Sequence, residues 1–217
     1  MTDYAARRIT MVDTQVRPCD VTKFPVIDAM LRVERELFVP REKREAAYIG
    51  ENVDLGDSRV VLDPRTLGKM LDYLNIQNDE LVLDIGVGLG YSSALISRLS
   101  EAVVALEDEP GRMAEAEETL ARVGADNVVL HCGALAEGAA QHGPYDVIML
   151  QGAVENMPDN ILEQLKDGGR IACIFNEEAL GIVKIGHKLS GKVTWRFAFN
   201  AAAPVLTGFE RHKAFTL

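Results

Sequence analysis

The sequence predicts an α/β fold in which a doubly wound, mainly parallel sheet follows an N-terminal helical cap and ends in an antiparallel pair of strands. Two observations favour this fold class. Strand-like and helix-like segments alternate from residue 80 onward, as they do when helices connect parallel strands. The stretch ELVLDIGVGLGYSSALIS, residues 80 to 97, contains one such unit: a short apolar strand, a glycine-rich turn and the start of a helix.

The helical cap is expected within residues 1–50. Residues 5 to 46 look helical, and Pro40 closes the run. The apolar positions that return at helical spacing include Val26, Ile27, Met30, Leu31 and Val33. Residues 51–217 are expected to form the main domain, and the two parts to make one compact unit.

The connection between the two parts, residues 49 to 66, mixes Gly, Asp and Pro with a β-branched stretch. This composition predicts a loop with a short hairpin. A helix is expected directly after it, from about Pro64 to Leu74, because proline is favoured in the first turn of a helix.

The main sheet is predicted from seven strand-like runs. Five of them are expected in a parallel arrangement, at residues 81–85, 103–107, 127–131, 145–150 and 169–175. Helices between most of these strands are expected at about 91–99, 111–123 and 155–166. The last two runs, 181–187 and 193–199, have no long helix between them and predict an antiparallel hairpin at the sheet edge.

Composition excludes several classes of protein. With 217 residues and 47% hydrophobic content, the chain can bury one good core. Its net charge of −10 argues against a nucleic-acid partner, since phosphate binding needs a basic face. There is no run of about 18 uncharged apolar residues of the kind that spans a membrane, and the start lacks an apolar signal block. We therefore expect a cytoplasmic protein without a membrane partner.

No metal site is predicted. The three cysteines, Cys19, Cys132 and Cys173, fit neither a disulfide framework nor a CxxC metal spacing. The four histidines lie at least eleven residues apart. His131 stands beside Cys132 at a strand end, where a structural role is expected.

The glycine-rich turn is the first candidate binding site. Gly86, Gly88 and Gly90 allow a sharp turn and a close ligand, and the free N–H groups at the following helix start attract an anionic group. A nucleotide-like ligand is therefore expected, although a tight turn without a ligand remains the alternative. The dinucleotide fingerprint needs a glycine where this chain has Tyr91, which argues against NAD or FAD.

Glu107 is the second candidate binding residue. It ends the second strand, twenty-one residues after Gly86. An acidic residue at that place in a doubly wound sheet accepts hydrogen bonds from the two ribose hydroxyls. The alternative is a solvated charge at a helix entry, as expected for Asp108 and Glu109 beside it. Together with the glycine turn, Glu107 favours a ligand that carries ribose.

Several segments in order resemble the protein-L-isoaspartate O-methyltransferases, which use S-adenosylmethionine. Alternating glycines preceded by Asp84 are similar to the first motif of all such methyltransferases. The segment ending in RELFVP is more specific to this family. The resemblance covers roughly residues 8 to 175, and its segments include MVDTQV, VIDAMLRVERELFVP, VLDIGVGLGYSSALIS, VVALEDEP, NVVLHCGAL and PYDVIMLQGAVENMPDNILEQLKDGGRIACI.

The resemblance implies a Rossmann-like methyltransferase fold with a seven-stranded sheet. It also implies that Asp84, Gly86 and Gly88 line the methionine half of S-adenosylmethionine, with Gly90 completing the turn, and that Glu107 binds the ribose. The implied partner is a protein or peptide that carries an isoaspartyl carboxylate. This carboxylate is already an adequate nucleophile, so the implied reaction needs positioning and exclusion of water more than acid–base help.

Two positions depart from the family pattern. The family usually has Gly-Asp-Gly after the third strand, with the aspartate on the adenine amine, whereas this chain has Gly133, Ala134 and Leu135. The missing hydrogen bond is worth about 0.5–1.5 kcal/mol, unless backbone groups near Ala134 replace it.

The second departure is in the loop before the domain. The family's substrate-side serine, in a Thr-Ile-Ser-Gln-Pro-like stretch, aligns with Leu62 of VVLDP. This leaves the catalytic side chain unassigned. Candidate substitutes for the hydroxyl are Ser58 and Thr66, which can equally be turn and helix-start residues. Arg59 or Arg65 is a candidate partner of the acceptor carboxylate, or a surface charge.

Three functions remain open on the sequence. The first is a methyltransferase related to the isoaspartyl repair enzymes, acting on a carboxylate of a protein or peptide. The second is a methyltransferase with a different acceptor, because a changed hydroxyl position usually means a changed substrate pocket. The third is a cofactor-binding protein that no longer catalyses and acts as a regulator.

Overall fold

The computed structural model describes residues 3–177 and 180–211, so residues 1–2, 178–179 and 212–217 of the two predicted parts lie outside the described residues. Its helices are α1 (Tyr4–Met11), α2 (Phe24–Arg32), α3 (Pro64–Leu74), α4 (Tyr91–Ile96), α5 (Pro110–Arg122) and α6 (Asp159–Glu163). Its strands are β1 (Val53–Gly56), β2 (Arg59–Val61), β3 (Leu81–Ile85), β4 (Ala102–Glu107), β5 (Val128–Cys132), β6 (Tyr145–Val154), β7 (Leu165–Glu177), β8 (Leu180–Leu189) and β9 (Lys192–Asn200). None of the helices in these ranges is both long and apolar enough to cross a bilayer.

The main sheet confirms the predicted fold class. In the described residues it has seven strands in the order β5-β4-β3-β6-β7-β8-β9, while β1 and β2 form a separate two-stranded sheet. The strands from β5 to β7 are parallel, and β8 runs antiparallel to both of its neighbours. The chain turns from β3 to β4 on one side and later enters β6 on the other. Sheets of this kind bind ligands at such a switch point, beyond the carboxyl ends of the strands.

The central strands are buried on both faces, which explains their continuous apolar sequence. Along β3, Val82 packs into the core cluster that includes the cap, and Leu83 packs into the cluster on the opposite face. Val103 and Val104 of β4 divide in the same way. Because the first cluster contains residues of both the cap and the sheet, the division of the chain near residue 50 stays a prediction.

The bounds predicted for α3 and β3 agree with the structure. Asp63 caps α3 by accepting a hydrogen bond from the Thr66 N–H at 2.9 Å. Asn75 ends the helix in the left-handed conformation, with φ of 48°. Both ends of the helix are marked by residue types that favour helix termini, which is why its bounds could be predicted from the sequence.

The cap is less regular than the predicted helical run. Residues 5–46 are divided among α1, a π-helical turn at Val12–Val16, α2 and short 3₁₀ turns. Asp20 has a φ of 64°, which interrupts the helical backbone before α2. Pro25 lies in the first turn of α2, where its missing N–H is tolerated. The apolar spacing was therefore correct for burial but did not show where each helix ends.

The helix predicted at 155–166 is present but shorter than predicted. β6 extends to Val154, α6 spans only Asp159–Glu163, and β7 already begins at Leu165. Ala153 pairs with Ile174 of β7 and also forms a bridge with Val205 of the tail. These long-range pairings extend β6 four residues past the predicted end of its strand at residue 150, and the early start of β7 shortens the helix at its other end.

Arg35, in the RELFVP segment, joins the cap to the site edge of the sheet. Its side chain is fully buried and donates hydrogen bonds to the carbonyl oxygens of Ala47 at 2.6 Å and Leu62 at 2.8 Å. The guanidinium carbon lies 4.9 Å from the ring centroid of Tyr91, the first residue of α4. Phe38 packs against the same ring at 5.7 Å. The segment thus positions the chain that leaves β2 and the helix that follows the glycine turn.

We expect Arg35→Met to lower the free energy of unfolding by about 2–4 kcal/mol, because it leaves two buried carbonyl groups without a donor. Urea denaturation of the variant and the unmodified chain measures the change. Arg41→Met, at an exposed arginine of the same cap, is the matched control and should change stability by less than about 0.5 kcal/mol. Equal stability of the two variants would contradict this role of Arg35.

Candidate active site

The glycine turn lies at the carboxyl end of β3. Gly86, Gly88 and Gly90 have φ values of 75°, 58° and 91°, a region that side chains with a Cβ rarely adopt. The Gly86 N–H donates to the carbonyl of Leu106 at 2.8 Å, which holds the turn against the end of β4. The turn and Glu107 are therefore adjacent, as expected for a site that spans β3 and β4.

Side chains of the same chain lie against this turn. A Cβ added at Gly88 would lie 2.5 Å from Cδ1 of Leu55, a residue of β1. One added at Gly86 would lie 3.0 Å from Cδ2 of Leu206 in the tail. At Gly90 the nearest atom is Cδ1 of Leu120, at 3.2 Å. The absence of a side chain at Gly90 therefore serves close packing of α5, and the faces of Gly86 and Gly88 are covered by leucines.

Asp84 is fully buried and bound within the chain. Its Oδ2 accepts hydrogen bonds from the hydroxyls of Ser92 at 2.6 Å and Ser93 at 2.7 Å, and its Oδ1 accepts one from Nε2 of Gln151 at 2.6 Å. Burial raises the pKa of Asp84 to about 6, although the three hydrogen bonds oppose the shift. The carboxylate thus links β3, the start of α4 and β6 underneath the turn.

Glu107, the expected ribose acceptor, is also fully buried. Its Oε2 accepts a hydrogen bond from the Gly88 N–H at 2.8 Å. Its Oε1 accepts from Nε of Arg59 at 3.3 Å, Nε of Arg112 at 3.2 Å and the N–H of Asp108 at 3.2 Å. Both carboxylate oxygens are therefore engaged by the protein itself.

Two arginines and two carboxylates form a compact ion network here. Arg59, only 1% exposed, places Nη2 at 2.8 Å from Oδ1 of Asp108, and Nη2 of Arg112 lies 3.5 Å from the same oxygen. At the hairpin tip, Asp57 accepts from Nη1 of Arg112 at 3.3 Å. Burial raises the pKa of Glu107, a side-chain hydrogen bond with the carboxyl of Asp108 raises it further, and the charge of Arg59 opposes the shift. The arginines thus compensate a carboxylate that water cannot reach.

Ala134 follows β5 and is exposed. The N–H of its neighbour Gly133 donates to the carbonyl of Glu107 at 3.0 Å, so this segment lies beside the end of β4, where the adenine side of the site is expected. The methyl group of Ala134 accepts no hydrogen bond. The structure therefore offers no side-chain acceptor at this position.

The residues considered for the acceptor side are dispersed. Leu62 is 1% exposed and its side chain belongs to the core cluster that includes the cap. The Thr66 hydroxyl is buried without a hydrogen-bond partner, while Ser58 is exposed at the hairpin tip with a φ of 60°. Arg65 donates to the carbonyl of Asn200 at 3.1 Å, and Arg59 is engaged by Glu107. The structure does not bring these side chains together around one surface.

A small cavity of about 10 Å³ lies between β2, the glycine turn and α4, with Leu62, Val87 and Gln151 in its lining. Pockets for ligands of cofactor size measure about 300–1,000 Å³. This cavity is therefore too small to hold S-adenosylmethionine. Among the described residues, no group of three or more His, Cys, Asp or Glu side chains is arranged to hold a metal ion.

A larger cavity, of about 490 Å³, lies away from the turn. Arg8, Arg32 and Arg122 in its lining belong to the last turns of α1, α2 and α5. Arginine is favoured there because it complements the negative end of a helix dipole. These charges are explained by the helices, and the cavity is not the candidate site.

Sequence reasoning missed four residues that determine the state of the site: Leu55, Arg59 as a partner of Glu107, Arg112 and Gln151. The sequence contains weak signals for two of them. Arg59 is a charged residue at the start of the otherwise apolar run RVVL, and Arg112 follows Glu107 by five residues in EDEPGR. Leu55 and Gln151 carry no local signal, because their roles depend on contacts between distant elements.

The buried carboxyl of Asp84 should make stability depend on pH. Its pKa is raised from 3.8 to about 6 in the folded chain, so its contribution to stability is full below about pH 4 and is lost as the pH rises through about 6. A pKa difference of about two corresponds to about 3 kcal/mol. In urea denaturation between pH 4.5 and 7.5, Asp84→Asn should lack this component.

Asp126→Asn, at an exposed aspartate, is the control and should retain the pH dependence of the unmodified chain. If Asp84→Asn and the unmodified chain show parallel pH profiles, the carboxyl of Asp84 does not titrate as described.

Comparisons with known proteins agree with this architecture. The sequence model of the family described as "Protein-L-isoaspartate(D-aspartate) O-methyltransferase (PCMT)" matches residues 10–199. A protein-L-isoaspartate O-methyltransferase of Fervidobacterium nodosum is 32% identical over 171 residues, which cover 77% of this chain and 86% of the relative. One from Aeropyrum pernix is 36% identical over 189 residues, covering 85% of this chain and 73% of the relative.

A solved structure from Plasmodium falciparum, described as a protein-L-isoaspartate O-methyltransferase in complex with S-adenosyl-L-homocysteine, has the same fold. Its TM-score is 0.80 at 17% sequence identity, with 95% of this chain and 99% of that chain covered. With the family match over most of its length and relatives above 30% identity, this chain belongs to the protein-L-isoaspartate O-methyltransferase family.

Proposed function

We propose that this chain is an S-adenosylmethionine-dependent methyltransferase that acts on a carboxylate of a protein or peptide, with an isoaspartyl residue as the expected acceptor. The observation that carries the proposal is the contact between the glycine turn and Glu107 at the switch point of the sheet, where the Gly88 N–H lies 2.8 Å from Oε2. The curated relatives named as protein-L-isoaspartate O-methyltransferases support it.

The proposal includes the class of substrate, the cellular location and the contribution of the chain to the reaction. A net charge of −10 supports a protein or peptide substrate over a nucleic acid and is compatible with a cytoplasmic location. A carboxylate acceptor needs no strong general base, so the chain's own contribution is to orient the acceptor and exclude water. Which side chain orients it stays open, because the replacement of the family serine by Leu62 stays a prediction.

A methyltransferase with a different acceptor is the second candidate. Leu62 and its neighbours Val60 and Val61 are buried and apolar, and Thr66 keeps its hydroxyl inside the protein. No hydroxyl is presented at the position where the family pattern expects one. This observation favours an acceptor whose carboxylate is oriented elsewhere, or one with an apolar body.

Binding of the demethylated product tests the proposal directly. In calorimetric titration, S-adenosylhomocysteine should bind with one site per chain, while NAD should not bind because the turn lacks the dinucleotide spacing. Ala134→Asp should bind S-adenosylhomocysteine as tightly or up to about tenfold more tightly, since a carboxylate there can accept from the adenine amine. Weaker binding by Ala134→Asp would place the adenine elsewhere.

We expect weak isoaspartyl methylation by the unmodified chain, because Leu62 is buried and offers no hydrogen bond. Losing one hydrogen bond to a charged acceptor costs about 1.5–3 kcal/mol, which is about ten- to more than a hundredfold in rate. The assay follows labelled methyl groups onto an isoaspartyl peptide. Leu62→Ser should be faster than Leu62→Ala, which removes the same bulk without adding a hydroxyl.

Rapid methylation by the unmodified chain would contradict this expectation. If that activity is then lost in Ser58→Ala, the exposed hydroxyl at the hairpin tip is the substitute.

A further inference from the structure

The chain supplies its own partners to the acidic group that would bind the cofactor. Glu107 is fully buried, and its oxygens accept hydrogen bonds from Arg59, Arg112 and the N–H groups of Gly88 and Asp108. Oε1 accepts three of these four bonds, so a ribose hydroxyl that binds Oε1 must displace one of its partners. Among these groups, Arg59 comes from outside the seven-stranded sheet and its helices, because it belongs to β2 of the separate hairpin.

The same hairpin, residues 53–61, covers the glycine turn. Leu55 of β1 lies so close to Gly88 that a Cβ there would be only 2.5 Å from its Cδ1. Leu55 and Arg59 face the turn and Glu107 respectively. One short element thus covers both features from which a ribose-bearing ligand was expected, and the adjoining cavity measures only about 10 Å³.

The tip of the hairpin, residues 55–59, can move without breaking the main sheet, whereas Val53, Val60 and Val61 at its base pack in the core cluster that includes the cap. Within the described residues, β1 and β2 pair only with each other and share no strand pairing with the seven-stranded sheet. The tip residues Asp57 and Ser58 are exposed, and Asp57 holds Arg112 with 83% of its side chain in solvent. An exposed ion pair of this kind adds little stability. The attachment of the tip is therefore weak.

The guanidinium group of Arg59 is not fully hydrogen-bonded in this buried position. Its Nη1 is buried and has no hydrogen-bond partner, although Nε and Nη2 bind Glu107 and Asp108. A buried donor without an acceptor destabilises the state that contains it. Withdrawal of Arg59 to the surface would return this donor to water. The unpaired donor therefore destabilises the state in which the hairpin covers the site.

We propose that the hairpin tip, residues 55–59, is an internal competitor of the cofactor, with Arg59 in the place of the ribose and Leu55 over the glycine turn. This inference rests on the proposed function. Cofactor binds the state in which the hairpin is withdrawn, and the observed affinity is the intrinsic affinity reduced by the fraction of molecules in that state. If about one molecule in ten is open, the apparent Kd is about tenfold weaker than the intrinsic one.

Calorimetry with S-adenosylhomocysteine tests the proposal on the full chain. Arg59→Met removes the competing charge and should bind at least about tenfold more tightly than the unmodified chain. Because Arg59→Met also removes a buried partner of Glu107, Leu55→Ala provides a second variant at a half-buried site and should bind about three- to tenfold more tightly. Leu31→Ala, at a half-buried leucine of α2, is the matched control and should leave the affinity unchanged.

Hydrogen exchange gives a readout that does not depend on turnover. Addition of S-adenosylhomocysteine should make the amides of residues 55–59 exchange faster, because ligand selects the state in which the hairpin tip is withdrawn. A lid that closes over its ligand would show the opposite, slower exchange. Slower exchange in these residues would overturn the proposal even if the affinities changed.

The calorimetric outcomes separate this inference from the proposed function. Tighter binding by Arg59→Met or Leu55→Ala, with Leu31→Ala unchanged, supports both. Equal affinity of the unmodified chain and the folded variants, by circular dichroism, overturns the internal competitor and leaves the methyltransferase assignment intact. No binding by the unmodified chain or either folded variant overturns both.

Discussion

The buried carboxylate of Glu107 is the constraint on which the site edge of this protein depends. It lies at the end of β4, fully removed from solvent, and an uncompensated charge in such a place would be strongly destabilising. Two guanidinium groups from separate elements, Arg59 of β2 and Arg112 of α5, therefore meet at one oxygen. The position of the hairpin follows from this requirement, since Arg59 cannot reach Glu107 unless the hairpin lies against the glycine turn.

The buried carboxylate of Asp84 is stabilised without a cationic partner. Its charge is stabilised by two serine hydroxyls and a glutamine amide, and burial still raises its pKa to about 6. The two carboxylates at the ends of β3 and β4 are thus held in different ways. Asp84 is part of a fixed network beneath the turn, whereas the partners of Glu107 include a hairpin that pairs with no strand of the main sheet.

Membership in the family leaves two positions of the site as predictions. The sequence predicts that Ala134 and Leu62 stand where the family has polar groups on the adenine and acceptor sides. In the structure Ala134 is exposed without a side-chain acceptor, and Leu62 packs in the core cluster that includes the cap. The RELFVP segment has a structural role in this chain, because Arg35 and Phe38 connect the cap to Leu62 and Tyr91.

The sequence by itself determined the elements whose signals are local. The bounds of β3 follow from an apolar run that ends at glycine, and those of α3 from Asp63 and Pro64 at one end and Asn75 at the other. The family resemblance and the adjacency of Gly88 and Glu107 were also accessible, because parallel strands bring their carboxyl ends to one edge. What only the tertiary structure decided depends on contacts between distant residues. Ala153 pairs with Ile174 and Val205, which extends β6 past residue 150, where the predicted strand ends, and Arg59 binds Glu107 across 48 positions of sequence. No periodicity or local motif encodes such a pairing, because its energy arises only when burial brings the two charges together.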